Sequence, residues 1–147
     1  MHVEIRHLRD LTEQVTKRYS WLERDLYMFK ALAEISLVGV FSSDANGLIE
    51  YVNPKMEWLT GLSSDNLLGQ GWLKIIPEDK QERFKEEWAY CVSHKKVFHI
   101  QTEYISYRKE NVWAVFLANP ILPSLHGGHL GVITDIPKGY GQDRRKK

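Results

Sequence analysis

The side chains that could do chemistry are few. His126 and His129 bracket Gly127-Gly128, and the single cysteine, Cys91, stands four residues before Lys95. A metal site needs three or four converging ligands, and no Cys or Asp pair accompanies these histidines. They read as surface loop residues, and His94 and His99 read the same way. Only Lys95 is close enough in sequence to lower the Cys91 pKa, so Cys91 reads as a buried structural thiol. Gly69-Gln70-Gly71 reads as a turn, not a phosphate cradle. No nucleophile elbow, Walker loop, zinc-deaminase or HExxH pattern occurs, so no catalytic residue is assigned and the domain is not expected to be an enzyme.

Binding chemistry is better represented. Side chains alternate along a strand, so Phe98, Ile100, Thr102, Tyr104 and Ser106 share one face. Ala114, Phe116, Ala118, Gly131 and Ile133 join them from neighbouring strands. Phe41, Phe84 and Trp88 approach from the other side, with Trp72 as core or wall. The set is apolar apart from the hydroxyls of Thr102, Tyr104 and Ser106. It would suit a small apolar or aromatic ligand. The competing reading is that the aromatic rings simply fill the core.

The elements that must position these residues fall into three zones: 1–36, 37–137 and a linker at 138–147. In the first, His2 to Leu8 alternates like a short strand, and Asp10-Leu11-Thr12-Glu13 reads as a capping box that starts a helix. No Pro or Gly follows until Gly39. Leu11, Val15, Leu22, Leu26, Phe29 and Ala33 recur at mostly three- and four-residue spacing, an apolar stripe on a long amphipathic helix with a slip near Arg18 and Tyr19. Such a stripe is buried against its own domain or against a twin. The helix is too long for one small domain to cover, which favours a dimer seam along its first half.

In the second zone, Val38 to Ser42 and Leu48 to Val52 read as strands around Asp44-Ala45-Asn46-Gly47, with Asn-Gly supplying positive φ. Asn53 caps a helix with Pro54 at its first position, and Gly61 ends it. Ser63-Ser64-Asp65 opens a short helical stretch closed by Gly69 and Gly71. A longer helix starts at Pro77-Glu78-Asp79, with acidic residues at its positive dipole end. Strands follow at Val97 to Tyr107, Val112 to Asn119 and His129 to Ile136. Strands and helices are segregated, so the fold class is α+β: a five-stranded antiparallel sheet, short helices on one face and the long N-terminal helix in front.

The ordered motifs resemble one family. Asn53-Pro54-Lys55-Met56-Glu57-Trp58-Leu59-Thr60-Gly61 is similar to the PAS pattern of an asparagine-capped helix ending in Leu-Thr-Gly. Leu67-Leu68-Gly69, Trp72, Ile76-Pro77-Glu78-Asp79, Glu103-Tyr104 and Trp113 resemble its following stretches. Gly131-Val132-Ile133-Thr134-Asp135-Ile136 resembles its closing strand. The resemblance implies a PAS sheet that binds small ligands or dimerises and passes a signal through flanking helices to kinase, cyclase or DNA-binding modules. It puts the signal exit at Asp135 and Ile136, with Pro137 departing from the usual Thr. His7-Leu8-Arg9-Asp10-Leu11-Thr12-Glu13 also resembles a PAS exit, which implies a piece of a tandem array.

The family's cofactors are not expected. Light-sensing relatives need a reactive cysteine just after the Gly69 equivalent, where Trp72 stands. The positions matching their flavin-binding amides are Ser106, Ala114 and Ile133. Haem-binding relatives need a helical histidine, and Glu82 to Val92 contains none. The resemblance therefore implies a sensory or relay domain of a larger protein, with a histidine kinase as the leading candidate. A ligand-binding sensor and a protein-interaction domain of a transcription regulator are the alternatives.

Composition fits this. Among 147 residues, 43% are hydrophobic and the net charge is +1, which gives no electrostatic footprint for nucleic acid. The basic run Arg144-Arg145-Lys146-Lys147 reads as a solvated tail. No apolar run reaches the roughly 18 residues of a membrane span, so no membrane insertion is expected. The N-terminus lacks an apolar signal segment. One cysteine permits no internal disulfide and fits a reducing, cytoplasmic setting.

Overall fold

The computed structural model describes residues 2–122 and 127–136, and only the backbone at 2–4, 18–19, 21–22 and 25–26. His126, Pro137, the 138–147 linker with its basic run, and the side chains of Leu22 and Leu26 lie outside the described residues. The chain divides into two compact units, Met1–Ile35 and Ser36–Lys147.

The first unit is one helix, α1 (His2–Ile35). The strand expected at residues 2–8 is corrected, and so is the helix start at Asp10. Ile5, Leu8, Leu11 and Val15 are spaced by three, three and four residues, which extends the helical stripe backwards without a breaker. Thr12 Oγ1 donates to the Leu8 carbonyl at 2.8 Å, a bond made to the preceding turn of a helix already formed there. Asp10 is thus an interior residue of α1. The stretch from His7 to Glu13 that resembles a strand exit is helical as well. Leu11 and Val15 are exposed, at 44% and 65%.

The second unit contains β1 (Gly39–Ser43), β2 (Ile49–Val52), α2 (Pro54–Thr60), α3 (Ser64–Leu67), a 3₁₀ turn (Gly71–Ile75), α4 (Glu78–His94), β3 (Phe98–Ile105), β4 (Asn111–Pro120) and β5 (His129–Asp135). Its five strands form one sheet in the order β2-β1-β5-β4-β3. Every neighbouring pair is antiparallel. The helical stretch between β2 and β3 joins the two sheet edges, so its helices cross the face where the core lies.

Local chemistry explains the boundaries. The β1–β2 turn takes positive φ only at Gly47, not at Asn46. Asp44 does the rest: its carboxylate accepts from the Asn46 and Leu48 amides at 2.9 Å each. Asn53 caps α2 as its sequence position predicts, accepting from Met56 N at 3.0 Å. The same Oδ1 accepts from Val40 N at 2.8 Å, and Nδ2 donates to the Val38 carbonyl at 3.0 Å. One buried amide therefore fixes both the helix start and its seat against β1. The 3₁₀ turn at Gly71–Ile75, unforeseen in the sequence, brings Trp72 inward.

Burial follows strand parity. Phe98, Ile100, Thr102 and Tyr104 on β3, Ala114, Phe116 and Ala118 on β4, and Gly131 and Ile133 on β5 are buried. Gly131 sits where bulk is excluded: a Cβ there would lie 2.5 Å from Phe41 Cζ and 2.7 Å from Ala118 Cβ.

Candidate functional site

The predicted pocket residues converge between the sheet and α4. Trp72 is at the centre, 1% exposed. Its ring centroid lies 5.2 Å from Phe41, 5.1 Å from Phe84, 5.0 Å from Trp88 and 6.5 Å from Phe116. Phe98 closes the group, 5.4 Å from Phe84 and 5.0 Å from Trp88. Most of these pairs are edge-to-face, the geometry the ring quadrupoles favour. Ile133 is buried in the same core, and Thr102 is buried on β3. Trp88 Nε1 donates to the Gly47 carbonyl at 3.0 Å, which ties α4 to the β1–β2 turn.

Beside this cluster a groove of about 310 Å³ lies between the β1–β2 turn, the 3₁₀ turn and α4. Trp72 and Trp88 border it, with Asn46, Gln70 and Lys85 as its polar groups.

Tyr104 lies farther along β3, and Ser106 lies just past its end. Ser106 begins the β3–β4 turn, where its hydroxyl accepts from Arg108 N at 3.3 Å. The buried Tyr104 hydroxyl donates to Asp135 Oδ1 at 2.9 Å. Burial, and then the hydrogen bond and charge of Asp135, push the phenol pKa well above its ordinary value. The two residues expected at the signal exit are thus joined to the core and the sheet: Asp135 through Tyr104, and Ile136 through its amide, which donates to the Trp113 carbonyl at 2.8 Å.

His129 corrects the sequence reading. It is 2% exposed, not a surface loop residue. Its ring packs 5.3 Å from Trp88, and Nε2 lies 2.8 Å from the Lys96 carbonyl. A carbonyl only accepts, so Nε2 carries the proton, and the buried Nδ1 has no partner among the described residues. The parity that places Gly131 and Ile133 inward places His129 inward too, a signal present in the sequence. Cys91 is buried, with Sγ 3.5 Å from the Val97 carbonyl. Burial and Glu87 push its thiol pKa up, against a smaller opposing effect of Lys96. Among the described residues no group of three or more His, Cys, Asp or Glu side chains converges on a point.

Comparison with known proteins places this architecture. A family model described as the PAS fold matches residues 35–137. The chain belongs to the PAS family. A search of curated proteins finds no match. Solved structures give the fold. A PAS domain from Colwellia psychrerythraea is 20% identical, with TM-score 0.64 over 77% of this chain and 98% of its own. The PAS domain of an HTR-like protein from Haloarcula marismortui is 18% identical, with TM-score 0.62 over 82% and 99%. A domain of a sensory box sensor histidine kinase/response regulator from Geobacter sulfurreducens is 21% identical, with TM-score 0.61 over 78% and 96%. At these identities the likeness shows that the second unit shares the fold of these domains. Among the described residues no helix is long and apolar enough to cross a membrane.

Proposed function

We propose that this chain is a non-catalytic sensory or relay PAS domain of a larger, cytoplasmic signal-transduction protein whose output module is a histidine kinase. It pairs as a homodimer through α1, with Leu11, Val15, Leu22, Leu26 and Phe29 as the seam. The observation that carries this reading is the exposure of Leu11 and Val15 on one stripe of a 34-residue helix. Apolar side chains repeating on one helical face are stabilised when a second copy covers them. The likeness to a Geobacter sulfurreducens sensor histidine kinase domain supports the choice of output. Signal would leave through Asp135 and Ile136 toward the following segment. Light scattering on the full chain and on a chain starting at residue 37 tests the seam. A dimer that becomes a monomer on truncation is expected, and a shortened chain that dimerises fully would refute the helix seam.

The groove beside Trp72 and Trp88 favours a second reading, a sensor of a small apolar ligand. The pocket residues would be Phe41, Trp72, Phe84, Trp88, Thr102, Tyr104, Ser106, Phe116 and Ile133. The mutual packing of the rings supports a domain that works without flavin or haem. Native mass spectrometry of gently purified protein separates the two: an added small-molecule mass supports the sensor, and a clean apo mass supports the relay.

A further inference from the structure

Trp58 differs from the other tryptophans whose side chains are described. Trp72 and Trp88 are buried and Trp113 is half-buried, while Trp58 is 58% exposed. Its ring centroid lies 5.2 Å from that of Tyr107, which is 42% exposed. A cation stands over each ring: Lys55 Nζ is 4.1 Å from the Trp58 centroid, and Arg108 Cζ is 5.4 Å from that of Tyr107. Two elements supply the four side chains, α2 and the β3–β4 turn.

The backbone holds this platform in place. Tyr107 N donates to the Leu59 carbonyl at 2.9 Å, joining the turn to α2. Gly61 ends α2 at φ 71°, so near the turn that a Cβ would sit 3.0 Å from Tyr107 Cβ. Ser106 fastens the other side, accepting from Arg108 N through its hydroxyl and from Lys109 N through its carbonyl. The surface is preorganised, which lowers the ordering cost of binding.

Two cations, Lys55 and Arg108, stand on the rings themselves, and Lys109 follows Arg108 in the turn. Among the described residues, no carboxylate lies within ion-pair distance of any of them. The Glu57 carboxylate turns to Ser64, accepting from its backbone N–H at 2.8 Å, and Glu110 follows in the turn. Trp, Tyr and Arg are the residue types that dominate binding energy at protein interfaces. Arg in particular pairs with carboxylates while its plane rests on an aromatic ring.

We propose that this face docks an acidic peptide segment with an aromatic or apolar anchor. Carboxylates meet Lys55 and Arg108, and the anchor rests on Trp58 and Tyr107. Charge complementarity selects the partner, because a basic segment would meet the like charges of Lys55 and Arg108. The site is built wholly from residues of the second unit, and the proposal does not rest on the α1 seam.

The test uses the full chain, with tryptophan indole N–H resonances as reporters and a random glutamate–tyrosine copolymer as probe. Polyglutamate and a lysine–tyrosine copolymer are the controls. A saturable shift of the Trp58 resonance is expected with the glutamate–tyrosine copolymer. It weakens with added salt and is absent with the lysine–tyrosine copolymer. Affinity, read for the variants by isothermal titration calorimetry because Trp58→Ala lacks the reporter, should fall at least about tenfold in Trp58→Ala and again in Lys55→Glu/Arg108→Glu. If Trp58→Ala does not fold, the charge-reversed pair carries the test. No saturable shift, a shift centred on another tryptophan, or unchanged affinity in the charge-reversed pair would overturn the proposal. So would a Trp58 shift that follows protein concentration without probe, because the occupant is then a second copy of this chain.

Discussion

At the scale of single residues, two polar groups in the core carry more than packing. Asn53 satisfies two buried amides and one carbonyl at the junction of β1 and α2. Asn53→Ala removes the helix cap and strands the Val40 N–H in the interior. The expected loss is about 2–4 kcal/mol, the sum of a cap and a buried unsatisfied donor. Urea unfolding measures it, and a loss below about 1 kcal/mol would mean that water or a shifted side chain replaces the amide. Tyr104 gives a pH signature. Its folded pKa is raised, so the folded state holds the phenol proton after the unfolded chain has released it. The sign follows: this contribution is intact below the unfolded tyrosine pKa of about 10 and is lost as pH rises beyond it. Tyr104→Phe should therefore flatten the alkaline fall of stability. Urea midpoints above and below that pH decide the matter, and parallel curves for the two proteins would exclude Tyr104 as the cause.

At the scale of elements, the close approach of β1, β4 and β5 around Gly131 yields another test. A methyl group there meets Phe41, Ala118 and the Leu117 carbonyl, the last at 2.8 Å. Gly131→Ala should cost about 1–3 kcal/mol as an overpacked core. It should also change the near-UV circular dichroism of the aromatic cluster. A neutral substitution would show that Phe41 has room to move. This contact also marks how far a sequence can be read. Parity put Phe98, Ile100, Phe116 and Ile133 on the buried face, and turn and cap residues located α2 to within a residue. Alternation names a face but not a distance, so the close packing of Phe41, Trp72, Phe84 and Trp88 was beyond its reach. Residues 2–8 failed for a related reason: Val3 and Ile5 satisfy a two-residue period, while Ile5, Leu8, Leu11 and Val15 satisfy the helical one. Continuity with an unbroken helix decides between them. His129 was misjudged because the Gly127-Gly128 turn suggested a loop, although its parity with Gly131 pointed inward. The Tyr104–Asp135 bond was illegible because it crosses β4 diagonally, and no local spacing records it.

At the scale of the whole molecule, the seam assigned to α1 separates dimerisation from stability. Leu11 and Val15 are exposed on the helix, so glutamate at both positions removes little packing within one chain. Glutamate is also a good helix former, and the cost to unfolding should stay within about 0.5 kcal/mol per site. Across a dimer seam the same change replaces two buried apolar side chains per copy with facing like charges. Each buried Leu or Val contributes about 1.5–3 kcal/mol, so the dimer dissociation constant should rise at least a hundredfold. Sedimentation equilibrium reads the association. Urea unfolding followed by tryptophan emission, at a concentration where the variant is monomeric, reads the PAS unit. A Leu11→Glu/Val15→Glu chain that dissociates while the PAS unit keeps its unfolding midpoint is the expected result. An unchanged dissociation constant would move the interface off this stripe. A lost midpoint would make α1 part of the domain's own core.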